Sequence, residues 1–229
     1  MKILAVDTAT EACSVALLLG EQSFGMFEIC PQQHSQRVLP MIDELLKKHG
    51  VKLKDLDAIA YGRGPGSFTG VRIAAGMAQG LAFGVDLPVV EVSTLAAMAQ
   101  ETFEKTGNKN IRVLIDARMG EVYFGDYEVV NGLARERQDE AVLSPLDALA
   151  KFIKVVDTND AWEAAGTGWQ AYATELDFGG IVQISYPNAM AMLSFAKDAM
   201  IQGKSIKAEQ IQPTYVRDNV TWKKLPGKE

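Results

Sequence analysis

Apolar residues recur along this chain with two different periods. Ile3 to Val6 form a continuous apolar run after Lys2 and stop at Asp7, the pattern of a buried strand. Cys13 to Leu19 and Gln22 to Ile29 read as two more strands, joined by a short turn at Gly20. Val38, Ile42, Leu45, Leu46 and His49 then fall at helical spacing and predict a helix over Gln36 to His49. Pro40 is expected within its first turn or so, where a missing N–H is tolerated. A strand at Asp57 to Tyr61, a helix at Val71 to Gly84 and a strand at Pro88 to Val92 follow. The last helix of this set spans Ser93 to Lys105, with Ser93 or Thr94 as its N-cap. The order is β-β-β-α-β-α-β-α.

The pattern then starts again. "ILAVDTATEACSVALL" (Ile3 to Leu18) aligns with "RVLIDARMGEVYFGDY" (Arg112 to Tyr127), each an apolar strand, an Asp, a short turn and an alternating strand. Asp7 and Asp116 are 109 residues apart, so the repeat is a duplicated βββα-type unit and not a short-period solenoid. A helix at Pro145 to Lys154, a Gly-rich turn at Gly166 to Gly168, a strand at Ile181 to Ser185 and a helix at Asn188 to Gly203 complete it. The expected units are 1–105 and 106–218, linked near Thr106 to Asn110. The charged, aperiodic segment 219–229 reads as a flexible tail.

Composition changes this picture mainly by exclusion. A chain of 229 residues buries roughly 70% of its unfolded surface and needs no staples. A net charge of −6 disfavours direct nucleic-acid binding. Cys13 and Cys30, outside any CxxC, suggest a reducing compartment and are expected to be packed rather than reactive. The run Ile73 to Val85 is too short to span a bilayer, and the start of the chain lacks the apolar stretch of a signal peptide. A cytoplasmic protein with no membrane contact is expected.

Candidate chemistry centres on "YGRGPGSFTGVRIAAGMAQG", Tyr61 to Gly80. It is not a Walker A loop, because it contains no lysine, and GxGxxG fails at Thr69. The start of the following helix could hold an anion. Gly64-Pro65-Gly66 is otherwise turn chemistry, with Ser67 or Thr69 capping. Asp7, in "VDTAT", stands where the actin–hexokinase–Hsp70 class places Asp-x-Gly-Thr/Ser, but its third position is Ala9, not Gly. The second turn, Asp116 to Gly120, is equally poor for phosphate. Asp7 and Arg118 remain as candidate anion or nucleotide contacts. With two histidines, His34 and His49, and no GxSxG, a serine hydrolase is disfavoured. Ser35 is a candidate cap for the helix after His34. No metal site is expected.

Gly76, Gly80 and Gly84 lie on one face of the second helix, each costing about 1 kcal/mol relative to Ala. Ile73, Met77 and Leu81 run beside them. Such a face suits close approach of another helix, from this chain or from a second protein.

"ILAVDTATEACSVAL", "HSQRVLPMIDELL", "AYGRGPGSFTGVRI", "IDARMGEVYFG" and the ending "YVRDNVTWKKLPGKE" together closely resemble the bacterial TsaB family, also called YeaZ. The resemblance is weakest from about Val129 to Gln183. It implies a duplicated actin-like ATPase fold with a degenerate nucleotide site. It implies a non-catalytic scaffold subunit in the synthesis of threonylcarbamoyladenosine in tRNA. The partners would be TsaD directly, TsaE in the complex, and a second copy of this chain when TsaD is absent, with tRNA met only through the complex. Thr94 and Met98 stand where TsaD-type proteins carry a His-x-x-x-His metal motif, and neither suits a hard catalytic metal. The resemblance further implies a docking face from the helices after His34 and after "GRGPGSFTG", with Val38, Ile42, Leu45, Ile73, Gly76, Met77 and Gly80 as contacts. No cofactor would be tightly bound by this chain, with ATP or ADP at most at the junction with TsaD. The alternative is a small-molecule kinase or ATPase of the same fold.

Overall fold

The computed structural model describes residues 1–153 and 161–212. The first half begins with the meander β1 (Lys2–Asp7), β2 (Ala12–Leu19) and β3 (Gln22–Ile29). It continues through α1 (His34–Lys48), β4 (Ala58–Gly64), α2 (Phe68–Val85), β5 (Val89–Ser93) and α3 (Thr94–Thr106). The second half repeats this with β6 (Asn110–Arg118), β7 (Glu121–Val130), β8 (Leu133–Leu143), α4 (Pro145–Ile153), β9 (Glu163–Ala165), α5 (Gly168–Ala171), β10 (Val182–Ile184) and α6 (Ala189–Ile201). The tail expected at 219–229 lies outside the described residues, as does Lys154 at the end of the helix expected from Pro145.

The two sheets have the same topology. The first runs β3-β2-β1-β4-β5 and the second, from the other edge, β8-β7-β6-β9-β10. In each, the meander is antiparallel and the last two strands join parallel to the first. This is the duplicated actin-like ATPase fold. The terminal helices cross over: α6 packs on β1, β2, β4 and β5 of the first sheet, and α3 on β6, β7 and β8 of the second. Ala5, Ala16, Ala60, Met192 and Ala196 form one core at this crossing, and Leu95, Met98, Ile111, Val113 and Tyr127 another. The halves are therefore interlocked through apolar burial.

Several boundaries differ from expectation. α1 starts at His34, so Ser35 lies inside the helix and Gln33 takes the cap position without a side-chain bond. Pro40 is then interior, not in the first turn. Both it and Gln36, whose carbonyl loses an i+4 donor, are exposed, so water can take that place. α2 begins three residues early because Ser67 accepts from Gly70 N at 3.1 Å. Ser93 caps α3 by accepting from Ala96 N at 3.2 Å. β8 carries Arg135, Arg137, Asp139 and Glu140, and hides from apolar periodicity because charged residues suit a sheet edge. The Gly166 to Gly168 turn ends β9 and launches the short α5.

Candidate functional site

Asp7 at the end of β1 and Asp116 near the end of β6 build matching turns. Asp7 Oδ1 accepts from Ala9 N at 2.9 Å, and Asp116 Oδ1 from Arg118 N at 2.8 Å. Their surroundings differ. Asp7 is 1% exposed, and Thr94 donates to its Oδ2 at 3.1 Å. A Cβ at Gly62 would collide with that same oxygen. Burial pushes the Asp7 carboxyl up to about 6, partly offset by the Ala9 N–H and the Thr94 hydroxyl. Asp7 does not line the cleft between the halves, which corrects its assignment as an anion contact: its side chain is enclosed by the fold. Thr94, at the metal-motif position, is thus spent on Asp7, and Met98 lies in the core. Among the described residues no cluster of three metal-ligating side chains occurs.

The stretch Gly62 to Gly70 is pressed onto the first turn. Ser67 N donates to Ala9 O at 2.7 Å, and Thr8 Oγ1 donates to Gly70 O at 2.7 Å. A Cβ on Gly66 would strike Ala9, and one on Gly70 would strike the Thr8 carbonyl. In an actin-like site the turn after the first strand must let backbone reach a phosphate. Here that turn is covered by the chain's own loop, and the Ser67 N–H is already engaged.

A cleft of about 1030 Å³ nevertheless opens between the halves. Thr10, Glu11 and His34 line one wall, and Asp116, Arg118 and Tyr123 line the other. Arg118 has φ +62° and bridges its mouth, with Nη2 to Glu11 Oε1 at 2.9 Å and Nη1 to Asp116 Oδ2 at 2.8 Å. Its charge is thus shared by two carboxylates. Tyr172 also donates to Asp116, at 3.0 Å. His34 is buried with Nε2 unpartnered, and His49 stacks on Phe24 with ring centroids 3.8 Å apart.

On the outer side, Gly76, Gly80 and Gly84 form an exposed row on α2. A Cβ at any of the three would meet no atom within 4 Å. Among the described residues, then, no helix of this chain covers that face. Phe68 and Phe83 stand exposed on the same helix, and Leu39 on α1. Ile73 and Met77 are half-buried against the core under α1. Val38, Ile42 and Leu45 are 0%, 2% and 2% exposed, packed inward against Leu4, Val15 and Leu17. Their assignment as docking contacts is corrected: their helical spacing marks the inner face of α1. Leu39, Phe68 and Phe83 on the outer side are isolated apolar side chains and carry no periodic signal in the sequence.

A family model described as TsaD, tRNA N6-adenosine threonylcarbamoyltransferase, matches residues 27–175. An Escherichia coli protein named tRNA threonylcarbamoyladenosine biosynthesis protein TsaB is 47% identical over 234 residues, with 100% of both chains covered. The Haemophilus influenzae protein of the same name is 47% identical over 241 residues, covering 100% of this chain and 99% of its own. A solved structure, described as a protein with similarity to peptidase YeaZ from Pseudomonas aeruginosa, is 43% identical with a TM-score of 0.85. It covers 94% of this chain and 99% of its own. With its full-length relatives and its two matching sheets, this chain belongs to the TsaB family.

Proposed function

We propose that the chain is a non-catalytic subunit in the synthesis of threonylcarbamoyladenosine in tRNA, docking through the outer face of α2, with exposed parts of α1, onto TsaD. TsaE joins through that complex, tRNA is met only there, and a second copy of this chain takes the same face when TsaD is absent. The observation that carries this reading is the row Gly76, Gly80 and Gly84. Among the described residues, nothing in the packing requires glycine at these positions. Each nonetheless costs about 1 kcal/mol of helix stability. A flat backbone surface beside exposed Phe83 gives a partner helix close approach.

Gly80→Leu tests the face. Association with TsaD, measured by calorimetry, is expected to weaken at least 100-fold, about 2.7 kcal/mol, while circular dichroism stays native. An intact complex would remove the assignment. The role itself is tested by reconstituting tRNA modification with and without this chain and analysing the nucleosides by mass spectrometry. Modification that proceeds equally without it overturns the reading.

A kinase or ATPase is the second reading. The covered turn at Ala9 counts against it, and any ATP or ADP belongs at the junction with TsaD. Micromolar ATP binding by the isolated chain would revive it. A peptidase finds no support in the geometry, since His34 Nε2 reaches no partner and His49 is stacked on an aromatic ring.

A further inference from the structure

The turn that launches α2 is gripped from both halves. From its own half, Thr8 and Ala9 hold Gly70 and Ser67. From the other half, Tyr123 on β7 donates its hydroxyl to the Gly66 carbonyl at 2.9 Å. Three residues earlier, Arg63 reaches Glu140 at 3.5 Å and Glu136 at 3.9 Å, both on β8. Glu140 is itself fixed: its side chain is 6% exposed, Tyr127 donates to it at 2.6 Å, and Ser93 donates as well.

Two neighbouring strands of the second sheet therefore hold the end of β4, at Arg63, and the turn that follows it, at Gly66. That turn has no slack on its other side, because Gly66 and Gly70 touch the first turn too closely to admit a Cβ. The residue after Gly66 is Ser67, the N-cap of α2. Any change in how the halves seat on one another shifts Tyr123 and Glu140 relative to Ala9. The start of α2 must follow one side or break a bond.

We propose that Tyr123, with Glu140 behind Arg63, is a positioning residue for the α2 face: the C-terminal half sets the placement of the docking helix. Partner affinity thereby depends on how the two halves are seated. This rests on the docking reading above and assigns that face a control from across the cleft.

Tyr123→Phe keeps the ring and removes only the hydroxyl. The wild-type chain and this variant are compared for affinity toward TsaD by calorimetry and for amide hydrogen exchange, with Gly80→Leu measured alongside. Affinity is expected to fall about five-fold, the effect of one hydrogen bond. Exchange is expected to rise at the amides of residues 67–71 while β1 and β7 amides exchange as before. A purely structural role would instead lower protection in β7 and shift the thermal midpoint without this local signature. Should Tyr123→Phe lower the midpoint strongly, Arg63→Gln releases the other grip and is read the same way. If both variants bind and exchange like wild type while Gly80→Leu abolishes binding, the positioning role is overturned and the docking face stands. If Gly80→Leu binds normally, the docking reading fails and takes the affinity claim with it.

Discussion

Each half places a helix between its two parallel outer strands, and the two differ sharply. In the first half α2 runs 18 residues; in the second α5 runs four. Both are launched by glycines pressed against the first strand of their sheet or the turn that follows it. Gly62, Gly66 and Gly70 press on Asp7, Ala9 and Thr8, while Gly166 and Gly168 press on Leu114. Only α2 continues into a second set of glycines that touch nothing. The comparison separates two uses of one residue type. Launch glycines are demanded by backbone crowding inside the chain; the α2 row is unexplained until something outside it is considered.

The largest effect should come from a launch glycine. Gly166 has φ +97° and its Cβ would enter the Leu114 carbonyl. Gly166→Ala is expected to cost about 3 kcal/mol or more, read from urea unfolding. A near-neutral result would break the parallel between the two launch turns.

Next comes Asp7, the enclosed member of the aspartate pair. Its carboxyl is pushed up to about 6 by burial. Below about pH 4 the group is neutral folded and unfolded alike. Between about 4 and 6 the unfolded chain ionises first, so this group's contribution to stability falls as pH rises and stays low above 6. At pH 7 the cost is ~3 kcal/mol. Asp7→Asn retains an acceptor for Ala9 N and is expected to flatten this slope in denaturant melts between pH 4.5 and 7. An unchanged slope would show that the charge is not held in isolation.

The smallest effect sharpens the contrast from the other side. Gly76→Ala removes helix-interior glycine where space is open. It is expected to raise stability by about 1 kcal/mol, or about 2–4 °C in thermal midpoint. A loss instead would mean that the α2 row is needed by the chain's own fold.

Much of the architecture was legible because it rests on local periodicity. The duplication shows in Asp7 and Asp116, each ending an apolar strand, and the caps at Ser67 and Ser93 show in their residue types. The charged β8 did not show, since an edge strand is held by backbone pairing that leaves no apolar rhythm. The candidate site was legible only in part. Gly76 and Gly80 stand out by their cost in a helix. The spacing of Val38, Ile42 and Leu45 identifies an apolar face without saying what covers it, and the chain's own core covers it.

The sequence by itself determined the element order of the first half, the matching strand-Asp-strand pattern that opens the second, and the unusual glycine row, because each rests on local patterns of residue type. Only the tertiary structure decided that α3 and α6 trade sheets, that Gly66 and Ser67 cover the Ala9 turn, and that Tyr123 reaches the Gly66 carbonyl from the other half. The contacts of α6, Ser67 and Tyr123 join residues some 50 or more positions apart. Their existence follows from close packing in three dimensions, which pattern along one dimension does not encode.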